Sequence, residues 1–339
     1  MQDESAAFVA LTIVAVAALL SATLIVALSP LLARYAVAKP NARSSHTTPT
    51  PQGGGIVVIG TTIAVTGGML LISAASAEST LRLAVVFLSV ILMAGVGVVA
   101  DKRPIGAAPR LVLQTFAVIA VLSTLPSELR LLPVVPWWIE RIVLLTGTLW
   151  FINLVNFMDG LDLMTVAEVV PITATLGITG LLGILPWPEA VISFALCGAM
   201  IGFAVFNRPI AKLFLGDVGS LPIGLLLGWL LLLLAGNGGH AAAILLPLYY
   251  LADSTITLLR RAANREAIWQ AHRSHFYQRA TDRGFRVIDV VARVFAVNVA
   301  LALMALATIV WPEDIVALSA GAAIVAWLLI TLARGTKPA

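Results

Sequence analysis

Charge is scarce in this chain. Asp, Glu, Lys and Arg make up 11% of its residues, less than half of the ~25% usual in a soluble domain. Cysteine is nearly missing too. Cys197 is the only one, which excludes an intramolecular disulfide and a multi-cysteine metal site. It lies in an apolar run and reads as a small packing residue. Low-complexity linkers and repeats of fixed period are lacking, so residues 1–339 read as a single integral-membrane domain. The first residues, Met-Gln-Asp-Glu-Ser, lack the basic start of a secretory signal, so the first apolar run reads as a retained span.

What fills the chain is hydrocarbon. Hydrophobic residues make up 60% of it, and the mean hydropathy is +1.01. Crossing ~30 Å of bilayer core takes ~20 apolar residues. Eleven runs approach that length: 6–29, 54–75, 81–99, 110–127, 134–156, 164–185, 189–206, 220–236, 240–259, 291–311 and 313–333. Several are short or glycine-rich, and ten spans is the other reading. The expected fold is all-α, a polytopic membrane protein.

Basic residues orient it. With the N-terminus outside, every Lys and Arg except Arg82, Arg130 and Arg141 falls on the inner side, as the positive-inside rule requires. The C-terminus is then cytoplasmic. Trp137, Trp138, Trp187 and Trp311 fall at outer ends, where an aromatic belt sits. The net charge of +4 is thus explained by topology, and no nucleic-acid partner is expected. The same orientation gathers Asp101, Asp159, Asp162, Asp217 and Asp253 at the cytoplasmic face. A transporter more often carries its ionisable groups near the midplane. A site assembled from inner loops is the better reading.

Its core is Asn153 to Met164. Asn153, Asn156 and Asp159 recur every three residues and share one helix face. Asp162 follows Gly160, and two carboxylates so placed suit a hard cation such as Mg²⁺. Asp162 reads equally as the N-cap of the next span. Asp217, between Gly216 and Gly219, is a candidate metal ligand or part of a capping turn. Gly53, Gly54 and Gly55 follow Arg43 and His46 and open a helix, a pattern that suits an anion; a tightly packed turn is the alternative. Asp101 reads as a working carboxylate or as a surface charge beside Lys102. His272, Arg273 and His275 form a compact cationic cluster suited to a pyrophosphate. As a zinc site the histidine pair lacks a third ligand.

Five stretches taken in order carry a resemblance: Arg43-Ser-Ser-His46 with Gly53–Gly55, Asn153 to Asp162, Phe214 to Ser220, Pro247 with Asp253, Arg260 and Arg261, and His272 to Gln278. Together they resemble the polyprenyl-phosphate N-acetylhexosamine-1-phosphate transferases. That superfamily includes the enzymes that begin O-antigen synthesis and the phospho-N-acetylmuramoyl-pentapeptide transferase. The His-Arg-Ser-His-Phe-Tyr-Gln run looks closer to the O-antigen branch. The resemblance implies transfer of a sugar-1-phosphate from a UDP-sugar to undecaprenyl phosphate, with release of UMP, at the bacterial inner membrane. It implies Mg²⁺, with Mn²⁺ as the other candidate.

By that analogy Asp217 holds the metal, and Asp159 and Asp162 orient the nucleotide or metal. His272, Arg273 and His275 hold the diphosphate, and Asp101 sits near the attacking phosphate. Asn153, Asn156, Asp253, Arg260 and Arg261 join the substrate site. One departure stands out. The family usually has two adjacent aspartates where this chain has Ala100-Asp101. A catalytically impaired paralogue, or a transporter or binding protein on the same fold, is the alternative function. The particular sugar and the oligomeric state, a homodimer included, are not written in these motifs.

Overall fold

The computed structural model describes residues 2–38, 49–73, 76–103, 105–267, 272–311 and 314–335. The chain is helical nearly throughout. Its long helices are α1 (Gln2–Tyr35), α2 (Gly54–Ile72), α3 (Ala77–Lys102), α5 (Trp137–Met158), α6 (Met164–Leu181), α7 (Trp187–Asn207), α8 (Asp217–Gly236), α12 (Val287–Val310) and α13 (Asp314–Arg334). Among the described residues these nine are long and apolar enough to cross a membrane. Shorter helices are α4 (Ala107–Leu122), α9 (His240–Leu245), α10 (Leu248–Ala263) and α11 (Phe276–Asp282).

Two expected spans differ. The run 110–127 is only partly helical, because α4 stops at Leu122 and turns follow. The run 240–259 is broken between α9 and α10. Pro247 explains the break: it has no N–H to give, and its ring collides with the preceding turn. The second fragment is not a plain apolar span either. Its buried face carries Tyr249, Tyr250, Asp253, Ser254, Thr257 and Arg261.

Helix α8 is the centre. It is apolar on all sides, and nearly its whole length is buried, as expected of a helix surrounded by others. Backbones approach it closely through small residues, as in other membrane bundles. A Cβ on Gly97 of α3 would lie 2.4 Å from the Asp217 carbonyl, and one on Gly55 of α2 would lie 2.2 Å from the Gly219 Cα. A two-stranded ribbon, β1 (Val37–Ala38) with β2 (Thr50–Pro51), continues into a bridge from Gln52 to Phe214. It ties the segment after α1 to the approach to α8.

Helix direction sorts the ends. Asp101 lies at the end of α3, Asp159 just past α5, Asn207 at the end of α7 and Asp217 at the start of α8. These meet at one cleft. Trp137 and Trp138 begin α5, Trp187 begins α7 and Trp311 follows α12, so all four stand at the opposite ends of their helices.

Candidate active site

The cleft has a volume of about 440 Å³, and its lining includes Asp101, Asn156, Asp159, Asp162, Asp217 and Gln278. It is built around the N-terminus of α8. Gly216, at φ 78°, turns the chain into that helix. A Cβ there would meet the Asp101 carboxylate at 2.6 Å, so glycine is required twice over. Asp101 uses both oxygens on the helix start. Oδ1 accepts the Asp217 N–H at 2.9 Å and Oδ2 accepts the Val218 N–H at 3.2 Å. A carboxylate on these orphan donors also meets the positive end of the helix dipole. Asp101 therefore caps α8 from another helix, and its role is to position Asp217. Gln52 adds a hydrogen bond to the Asp101 carbonyl.

Asp217 thus projects from the first residue of α8. Asn156 donates to its Oδ1 at 2.7 Å and to Ser220 Oγ at 2.8 Å. Arg110 of α4 lies 3.1 Å from its Oδ2 and donates to Asn156 Oδ1 at 2.7 Å. Arg110 was visible in the sequence only as one more inner basic residue. Its stronger signal is position: a cation in the first turn of a helix is opposed by the dipole and marks a need for an acidic partner.

Asp159 follows α5 and accepts the Thr165 hydroxyl at 2.5 Å. Burial pushes its pKa up to about 7; the Thr165 hydrogen bond opposes the rise, and the charges of Asp217, Asp101 and Asp162 add to it. Asp162 is not the N-cap of α6. Leu163 holds that place, and Asp162 accepts the Ala211 N–H at 3.0 Å. Asn207 accepts the Leu163 N–H and donates to the Leu213 carbonyl, closing the same wall.

Several expected substrate residues have partners within the protein. Gly54 and Gly55 give their N–H groups to the Phe214 and Leu215 carbonyls, both at 2.9 Å. Those amides are not offered to an anion. Gly53 lines a separate cavity of 410 Å³ with Gln52, Asp101 and Lys102. Asn153 points away from the cleft and pairs with Gln114 of α4 at 2.8 Å. Arg43 and His46 lie outside the described residues.

The His-Arg segment also stands apart: among the described residues none of Asp253, Arg260, Arg261, His272, Arg273 and His275 lines the cleft. Asp253 is fully buried and accepts the N–H groups of Phe276 and Tyr277, capping α11. It also receives the Tyr249 hydroxyl and faces His275 Nδ1 at 3.2 Å. Arg260 donates to the Ser274 carbonyl, Arg261 to Glu266, and Arg273 pairs with Asp282. His272 stacks on His275 with ring centres 4.8 Å apart. Burial first, then the nearby positive groups, pushes the His272 pKa down to about 4. His272 is neutral near pH 7, so it adds no charge to the expected cationic cluster. Contact with the cleft runs through Tyr277 and Gln278. The Tyr277 hydroxyl donates to the Phe157 carbonyl at 3.0 Å and abuts Gly160.

Among the described residues no three acid, histidine or cysteine side chains converge on a metal position. Asp217 and Asp159 nevertheless supply hard oxygen donors on one wall. That fits a cation of the Mg²⁺ type, which binds one or two carboxylates and completes its shell from substrate phosphates.

A membrane bundle with an acid-lined cleft at one end of its helices is thus the class of protein the geometry defines. Sequence comparison agrees. The glycosyl transferase family 4 model matches residues 83–235. The decaprenyl-phosphate N-acetylglucosaminephosphotransferase of Mycobacterium tuberculosis is 29% identical over 88% of this chain and 83% of its own length. A Bacillus subtilis protein named as a probable undecaprenyl-phosphate N-acetylglucosaminyl 1-phosphate transferase is 26% identical over 78% of this chain and 76% of its own. The phospho-N-acetylmuramoyl-pentapeptide-transferase of Desulforamulus reducens is 34% identical over 53% of this chain and 59% of its own. Over most of its length the chain is thus similar to polyprenyl-phosphate N-acetylglucosamine phosphotransferases, and its central part to glycosyl transferase family 4.

Proposed function

We propose that this cleft transfers an N-acetylhexosamine-type sugar-1-phosphate from a UDP-sugar to undecaprenyl phosphate, at the cytoplasmic face of the bacterial inner membrane. A phosphate oxygen of the lipid attacks the β-phosphorus. The bond from that phosphorus to the bridging oxygen breaks, and UMP leaves with the electron pair. The product is a lipid-diphospho-sugar, the starter for O-antigen or another envelope polysaccharide. The observation that carries this reading is Asp217, fixed at a helix start by Asp101 and facing a cleft with three more aspartates.

Phosphoryl transfer depends chiefly on positioning and charge neutralisation. Bound Mg²⁺ would supply the charge that diphosphate oxygens need, with Asp217 and Asp159 as its protein ligands. Asp101 holds the α8 start in place, and Asn156 sets the rotamer of Asp217. Burial raises the Asp159 pKa to about 7, and a bound cation would hold that carboxylate ionised. The lipid phosphate is already ionised near neutral pH and requires no strong base, which accommodates Ala100 beside Asp101. The helix ends carrying the tryptophans would then face outward.

Purified chain, undecaprenyl phosphate, Mg²⁺ and a panel of UDP-N-acetylhexosamines test this directly. UMP release with a lipid-linked product from at least one donor is expected. Asp217→Asn should lower turnover by about 10³-fold or more while the protein stays folded. A folded wild-type chain that releases no UMP from any donor would overturn the assignment.

A further inference from the structure

The acids of the cleft have a counter-ion already in place. Among the described residues the lining holds four aspartates and no Lys, Arg or His. Arg110 reaches the wall from α4 and spans two of its residues, with Nη1 at Asp217 and Nη2 at Asn156. Both sides of the pair are partly open, at 20% exposure for Arg110 and 29% for Asp217. The Arg110 Nε is buried without a hydrogen-bond partner among the described residues. The guanidinium therefore has donors unused in this arrangement. Its planar fork matches paired phosphate oxygens better than it matches one carboxylate and one amide.

A guanidinium and a divalent cation compete for one carboxylate. Each repels the other strongly at contact distance in a partly dry cleft. Asn156 occupies Oδ1, so the competition falls on Oδ2. We propose that Arg110 is the resident counter-ion of Asp217: it yields the carboxylate when a divalent cation binds and turns its fork to the diphosphate of the donor. The inference rests on the transferase reading for the identity of the diphosphate. The competition at Asp217 rests on geometry alone. It makes cation and diphosphate binding mutually favourable, since each removes an obstacle to the other.

Mn²⁺ binding to the full chain in detergent, followed by electron paramagnetic resonance without any donor, tests the competition. Arg110→Met should bind Mn²⁺ about tenfold more tightly than wild type. Arg110→Lys keeps the charge and should stay within about threefold of wild type. Arg110→Gln retains a donor toward Asn156 and serves as the second neutral variant should Arg110→Met fold poorly. The gain should vanish when Asp217→Asn is added. Unchanged or weaker Mn²⁺ binding in a folded neutral variant overturns the proposal, and so does a gain that survives Asp217→Asn. The titration needs no turnover. A chain that transfers no sugar can still show the gain, and an active transferase can fail to show it.

Discussion

Two aspartates in this molecule do the same job with opposite results. Asp101 caps α8 and Asp253 caps α11, each from a different helix. Around Asp253 everything is closed. The carboxylate is fully buried and holds two amides, two hydroxyls and an imidazole. Around Asp101 the wall is open, and the residue it fixes, Asp217, keeps 29% of its side chain exposed to the cleft. One cap locks a loop. The other presents a charge. An aspartate near a helix end is thus no guide to chemistry until its partners are known.

The comparison breaks most severely at Asp253. Asp253→Ala leaves His275 and two amides without their acceptor in a dry interior. Losing one partner of such a buried set costs about 3–5 kcal/mol. A large fall in melting temperature and in yield of folded protein is expected, by thermal unfolding in detergent. Asp101→Asn is the milder break. It retains one acceptor oxygen for the α8 start, a change of about 1 kcal/mol in capping. Turnover should fall by about 10- to 100-fold as Asp217 shifts, with the melting temperature lowered by only a few degrees. Equal losses of folded protein in the two variants would erase the distinction.

The smallest effect concerns pH. The folded pKa of Asp159 is about 7, above its ordinary 3.8. Between those values the folded chain binds more protons there than the unfolded one. The Asp159 contribution to stability is complete below pH 3.8 and is lost as pH rises through about 7. Asp159→Asn should flatten the decline in melting temperature across that window. An undiminished decline in the variant would assign it to another group.

Much of this architecture is legible in the chain. Long apolar runs yield the helices, and Asp159, Asp162 and Asp217 stand out as acids at the ends of such runs. What sequence reading misses is pairing over distance. Asp101 and Asp217 are 116 residues apart, and no local period links them. Asn153, Asn156 and Asp159 share a face by spacing, yet only the last two reach the cleft, because Gln114 of α4 takes Asn153. His272 looks cationic when written beside Arg273; its burial reverses that. Arg110 hid among residues already explained by orientation. The break before α10 was signalled by Pro247, but the apolar residues on both sides masked it.

The close approach of Gly55 and Gly97 to the start of α8 has a bearing on how the protein is made. Three segments, from α2, α3 and α8, must be together before that socket exists. Residues 54–102 leave the ribosome well before residue 217. Until then the end of α3 waits with an acid and no amides to receive. Completion of the socket therefore waits for α8, and a chain interrupted just before it carries Asp101, Asn156 and Asp159 without the helix start that joins them.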